Sequence, residues 1–198
     1  MKSITARSRI LVGLSLLACT WVANAAWTLD NDASHLSFIS IKKDAIAEVH
    51  KFSHLSGSIN SDGAVKVTIE LASVDTAIAI RDERMRELLF QTELFPKASV
   101  TAKVDPTKFN QLMPGQYQTD SIQLTLSLHG QSKTIDAQVG VVRLQGGKLL
   151  VSTIQPIIIN ATDFGLEKGI DALMKIAKLN AISSVVPVTL NFVFDETN

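Results

Sequence analysis

Residues 186–194 read VPVTLNFVF, with Val186, Val188, Leu190, Phe192 and Phe194 at every second position and Pro187, Thr189 and Asn191 between them. Successive side chains of an extended chain point to opposite faces, so the segment reads as a strand with one dry face and one wet face. The same period recurs where Val65, Val67, Ile69 and Leu71 alternate with Lys66, Thr68 and Glu70, and where Ile122, Leu124, Leu126 and Leu128 alternate with Gln123, Thr125 and Ser127. Residues 36–41, 46–59, 100–104, 134–142 and 149–159 are expected to be further strands, separated by turn-formers such as Ser61-Asp62-Gly63, Pro114-Gly115, His129-Gly130 and Gly146-Gly147. About eight antiparallel strands follow. A sheet with one apolar face must stack on a second sheet or close on itself, and closure removes the aggregation-prone edges. Barrel and sandwich are both compatible with this pattern.

Two segments depart from period two. Residues 80–90, IRDERMRELLF, put Met85, Leu88 and Leu89 on one helical face, and residues 166–179 place Leu166, Ile170, Leu173, Met174 and Ala177 at helical spacing. Two short helices are therefore expected, the second capped by Thr162 or Asp163 at its start and Asn180 at its end. Neither linker nor repeat interrupts the chain, so residues 26–198 form one expected domain.

The N-terminus has the three-part form of a secretory signal: Lys2, Arg7 and Arg9, an apolar run over residues 10–18, then Ala23-Asn24-Ala25. Residues 1–25 are expected to be a cleaved leader and the mature protein to be exported. Acylation at Cys19, within a loose lipobox, is a minor alternative. Cys19 is the one cysteine of the chain, so cleavage after Ala25 leaves a domain that no disulfide can staple and that must rely on its own core. Without the leader's three cations, 16 basic residues face 19 acidic ones. That balance argues against nucleic acid as a partner.

Catalytic chemistry is poorly represented. His50 and His54 lie four apart on an expected strand, separated by roughly 13 Å, too far to share a metal whose ligands sit about 2 Å away; no metal site is expected. A nucleophile elbow is absent, and a mature chain without cysteine has neither thiol catalysis nor a thiolate zinc site. The chain is not expected to be an enzyme. Asp75, Thr76 and Asp82 are expected to fix the turn into the first helix, while Arg81, Arg84 and Arg86 carry guanidinium groups suited to an anionic headgroup.

Ser73-Val74-Asp75-Thr76, then Arg81-Asp82 and Phe95-Pro96, resemble the YceI family of periplasmic proteins. Trp27-Thr28-Leu29-Asp30 with Ser34 and Phe38, the trio Phe52, Leu55 and Gly57, and Leu124-Thr125-Leu126 with Gly130 and Lys133 extend the resemblance over nearly the whole mature chain. Ala33 and Lys42 stand where that family commonly has histidine. The resemblance implies a periplasmic location and an all-β, antiparallel, lipocalin-like barrel of about eight strands that holds a polyisoprenoid lipid. On that basis an apolar lining of Phe38, Val49, Phe52, Leu55, Val67, Ile69, Leu71, Leu124, Leu126, Val188, Leu190 and Phe192 is expected, with Arg81, Arg84 and His50 toward the headgroup. No cofactor is expected beyond the bound lipid, a quinone or polyprenyl phosphate, and transient contact with a membrane or membrane protein would serve its loading. The competing readings are a filled barrel that docks on a membrane partner such as a respiratory cytochrome, and a stress chaperone. The helix over residues 166–179 is either a lid on the barrel mouth or packed outside it.

Overall fold

The computed structural model describes residues 25–197; residues 1–24, with Cys19 and nearly all of the expected leader, lie outside the described residues. Eleven strands form one antiparallel sheet: β1 (Ala25–Lys42), β2 (Ile46–Phe52), β3 (Leu55–Asn60), β4 (Ala64–Glu70), β5 (Val74–Asp75), β6 (Lys97–Lys103), β7 (Tyr117–Leu128), β8 (Gln131–Arg143), β9 (Lys148–Thr153), β10 (Ile157–Asn160) and β11 (Val185–Glu196). The hydrogen-bonded order β1-β3-β4-β6-β7-β8-β9-β11 returns to β1 and closes an eight-stranded barrel. Barrel, not sandwich, is the answer.

Two of the expected strands are each broken in two. The segment over residues 46–59 divides into β2 and β3, because the Ser53 and His54 amides leave the ladder for the carbonyl and hydroxyl of Ser73, at 3.1 and 3.0 Å. The segment over residues 149–159 divides into β9 and β10 at Pro156, which has no N–H to offer a ladder. As a result β2 extends the barrel wall along the upper half of β1, and β10 does so along β11.

β1 and β11 form the closing seam, in register from Trp27↔Glu196 to Asp30↔Val193 and again from His35↔Asn191 to Phe38↔Val188. The irregularity between them is built by side chains. Asp30 accepts from the amides of Asp32 and Ala33, Asn31 accepts from the Leu55 amide at 2.7 Å, and the buried Ser34 hydroxyl accepts from the Val193 amide at 3.0 Å. A bulge bends its strand. Here it turns β1 from its lower partner β3 to its upper partner β2.

The lower barrel is filled by Trp27, Leu29, Ile59, Val141, Leu149 and Phe194, with a gap of only about 80 Å³ beside Trp27, Phe109 and Leu149. Helix α2 (Pro106–Asn110), which the sequence reading missed, plugs this end with the buried Phe109. It begins with Asp105 accepting from the Thr107 amide at 3.0 Å, a capped start with proline in the first turn. The upper end carries two long insertions. Between β5 and β6 runs α1 (Ala79–Arg84), continued by one wider turn over Met85–Leu89; between β10 and β11 runs α3 (Glu167–Ala177).

The expected caps of α3 are corrected by the structure. Leu166 occupies the start with no side-chain bond, Thr162 and Asp163 belong to a separate preceding turn, and Lys178, at φ 52°, ends the helix ahead of Asn180. The side chain that caps is Asn160, which accepts from the Thr162 amide of that earlier turn.

Ser34→Ala removes the hydroxyl that spans the seam and leaves a buried amide unpaired, which is expected to destabilise the fold by about 1–3 kcal/mol. Urea unfolding measures this; an unchanged midpoint would show that the seam does not depend on Ser34.

Candidate functional site

Above the packed layer the barrel is hollow. A cavity of about 430 Å³ opens at the upper end, within the size range of small-molecule sites. Its walls are inward side chains of alternating strand positions: Ile69 from β4, Leu124, Leu126 and Leu128 from β7, and Val186, Val188, Leu190 and Phe192 from β11. The period-two pattern placed these faces correctly.

Of the twelve residues expected to line the barrel, nine do: Phe38, Phe52, Ile69, Leu71, Leu124, Leu126, Val188, Leu190 and Phe192. Three do not. Leu55 and Val67 are buried, 7 % and 3 % exposed, but belong to the packed core and not to the cavity wall. Val49 is 69 % exposed on the outside of β2. Neighbouring strand positions face opposite ways, and β2 sends Glu48, His50 and Phe52 inward, so Val49 must point out. Apolar character alone misplaced Val49, while Phe52 and His50 on the same strand face inward as expected.

Helix α3 roofs the cavity and is not packed away from it, since Ile170, Leu173 and Ala177, with Leu166 at its start, line the cavity. Its neighbour is the turn after α1. A Cβ on Gly169 would lie 2.7 Å from both the Leu88 carbonyl oxygen and the Leu89 Cα, so only glycine allows the two elements to approach this closely. Ile80, Arg84, Met85 and Leu89 complete the roof from the α1 side.

One corner of the cavity is polar. His50, 3 % exposed, has its Nε2 2.8 Å from the Ser40 hydroxyl, and its Nδ1 is buried without a partner. Its ring leans on Phe38 at 5.2 Å, which stacks on Phe52, which meets Phe90. The aromatic row thus runs from the apolar interior to the polar corner.

Glu48 binds two cations there, Lys42 at 2.8 Å and Arg81 at 3.0 Å. Arg81 also donates to the Thr76 carbonyl at 2.6 Å, while its Nε is buried and unpaired. The loop that presents Arg81 is fixed as expected. Asp82 accepts from the Thr76 amide at 2.8 Å and from its hydroxyl, and Asp75 accepts from the Ala77 amide at 2.8 Å.

All three headgroup candidates, His50, Arg81 and Arg84, line the cavity. Sequence reasoning missed Ser40, Lys42 and Glu48, and the available signal was parity with His50: positions 40 and 42 continue the inward face of Phe38, and 48 that of His50. His54 sits apart in the β2–β3 break, exposed beside Glu70. Among the described residues no group of three or more His, Cys, Asp or Glu side chains could hold a metal ion.

A YceI-like domain is matched over residues 27–194. The chain belongs to the YceI family. Among solved structures, a polyisoprenoid-binding domain from Saccharophagus degradans implicated in plant cell wall breakdown is 38 % identical, with TM-score 0.86 over 88 % of this chain and 100 % of that one. Burkholderia cenocepacia BcnA shares the fold at 16 % identity and TM-score 0.65, covering 83 % of this YceI chain and 98 % of its own. No curated protein sequence matches.

Hydrogen bonding to Lys42, reinforced by Arg81, holds the Glu48 carboxyl below its ordinary pKa, while burial, reinforced by the Arg81 charge, pushes the His50 imidazole below its own. In both cases the unfolded chain takes up protons before the folded one does, so stability falls as pH falls. The His50 contribution is lost as pH drops through the ordinary imidazole value of 6.5 toward the lower folded value, and that of Glu48 on passing below 4.5. Thermal melts across this range are expected to show both declines. His50→Phe should remove the first and Glu48→Gln the second, whereas profiles parallel to wild type would contradict these assignments.

Proposed function

We propose that this YceI protein binds a long-chain isoprenoid lipid, a quinone or polyprenyl phosphate, in the hollow upper barrel and acts in the periplasm as a non-catalytic carrier or reservoir. The observation that carries the reading is the largely aliphatic cavity, open at the upper end, with a single polar corner. An all-apolar wall favours a hydrocarbon tail at about 0.8 kcal/mol per buried methylene. Specificity for a head then falls to the few polar groups at one end. The similarity to a polyisoprenoid-binding domain supports an isoprenoid over a straight acyl chain.

The polar corner is suited to an oxygen-rich head. Arg81, Lys42 and His50 line the cavity at this corner, where their donor groups can meet a ligand oxygen. Glu48 holds the two cations in place while cancelling one of their charges. On this reading the head is bound and released unchanged, the Ser40–His50 pair serving as a hydrogen-bonding contact.

Native mass spectrometry of the protein purified from its own host, before and after solvent extraction, tests the reading. A discrete prenyl-sized adduct is the expected result. A bare mass together with no uptake of added quinone would overturn it in favour of a docking module. Binding of unrelated unfolded clients without preference for tail length would indicate a chaperone.

The lid has its own test. Gly169→Ala must push α3 away from Leu88 and Leu89, and exchange of bound lipid is expected to accelerate in a stopped-flow transfer assay. Exchange at the wild-type rate would show that α3 does not gate the cavity.

A further inference from the structure

We propose that the cavity mouth is a docking surface for an anionic phospholipid bilayer, an inference that rests on the carrier reading above. Ile78 and Ile80 are 46 % and 52 % exposed and yet line the cavity. The cavity wall therefore continues outward onto the protein surface at α1. Across the mouth lies the end of α3, where Ala177 and Leu179 also line the cavity and Ile176 is 46 % exposed. The chain following α3 is tied to the β1–β2 turn by the Lys43 amide donating to the Ala181 carbonyl at 3.0 Å and by the Lys42↔Ile182 bridge. These elements bring one group of exposed aliphatic side chains around one opening.

Cations outnumber anions at the same opening. Lys42, Arg81 and Arg84 line the cavity against Glu48 alone. On the rim Lys43, Lys175 and Lys178 are exposed, against Asp44, Glu167 and Asp171 on the same elements and Glu83 on α1, and none of the three lysines forms an ion pair among the described residues. Aliphatic side chains ringed by cations suit the boundary between anionic headgroups and acyl chains. A soluble partner protein would have to cover the mouth through which the ligand passes, whereas a bilayer that supplies the ligand meets the mouth by necessity. At the start of β2, beside the β1–β2 turn, Ile46 adds a further aliphatic side chain, 44 % exposed.

Flotation of the purified full chain with phosphatidylethanolamine–phosphatidylglycerol vesicles, compared with phosphatidylcholine vesicles at low and high salt, reads the contact. Binding to the anionic vesicles that weakens with salt is expected. The triple variant Lys175→Gln, Ile176→Ser, Lys178→Asn alters exposed rim side chains outside the cavity wall, and asparagine tolerates the left-handed backbone at position 178. Loss of two cations and one aliphatic anchor should weaken vesicle binding about tenfold or more. The lipid adduct carried by the variant should stay as in wild type, which separates the docking surface from the cavity.

No flotation, equal flotation with phosphatidylcholine, or wild-type binding by the triple variant would each overturn the docking surface. So would concentration-dependent dimerisation in sedimentation velocity that the triple variant abolishes, since a second copy would then cover the mouth. A protein that floats but carries no prenyl adduct and takes up none would instead defeat the carrier reading alone.

Discussion

The pairing of β1 with β11 is the constraint on which the rest of the molecule depends. Those strands come from opposite ends of the domain, and only their union turns an eight-stranded ladder into a tube with an inside. Such non-local closure is entropically costly and forms late, so it needs specific chemistry where the two strands cannot run in plain register. Ser34, Asp30 and Asn31 supply it, and the bulge they build does more than close the seam. It bends β1 where its partner changes from β3 to β2, which is also where the barrel changes from packed to hollow.

Filling and emptiness follow from what the two ends contribute. Below, Trp27, Phe109 and Phe194 bring large side chains to the axis, and α2 seals the end. Above, the walls are mostly Ile, Leu and Val with Phe38, Phe52, Phe90 and Phe192, and the volume between them is roofed by α1 and α3 instead of being filled from the strands. Interior packing normally leaves few voids larger than a water molecule. A roofed, aliphatic cavity of this size is a feature that the surrounding elements maintain, and the close approach at Gly169 is the joint that keeps the roof together.

The polar corner carries its own internal logic. A carboxylate between an ammonium and a guanidinium fixes both cations without a second anion, and a neutral histidine beside them offers hydrogen bonding without adding charge. The aromatic row from Phe90 to His50 joins this corner to the dry interior, so a bound molecule meets a continuous gradient from hydrocarbon-like to polar.

Alternation along β4, β7 and β11 was enough to identify strands and their inward faces, and helical spacing identified the apolar stripe of α3, because both depend only on the geometry of one element. The eight-strand count was legible for the same reason. Strand β2 was legible only in part: Ile46, Glu48, His50 and Phe52 share one face and Ala47 and Val49 the other, so both faces carry apolar residues, and hydrophobicity by itself sent Val49 inward along with Phe52 and His50. What turned Val49 outward was tertiary, since Lys42 on the neighbouring strand and Arg81 on a distant loop complete the inward charges. Whether the barrel was hollow was likewise beyond the sequence. Periodicity states which side chains share a face; only the closed structure states what stands opposite them, and an empty space has no residue to encode it.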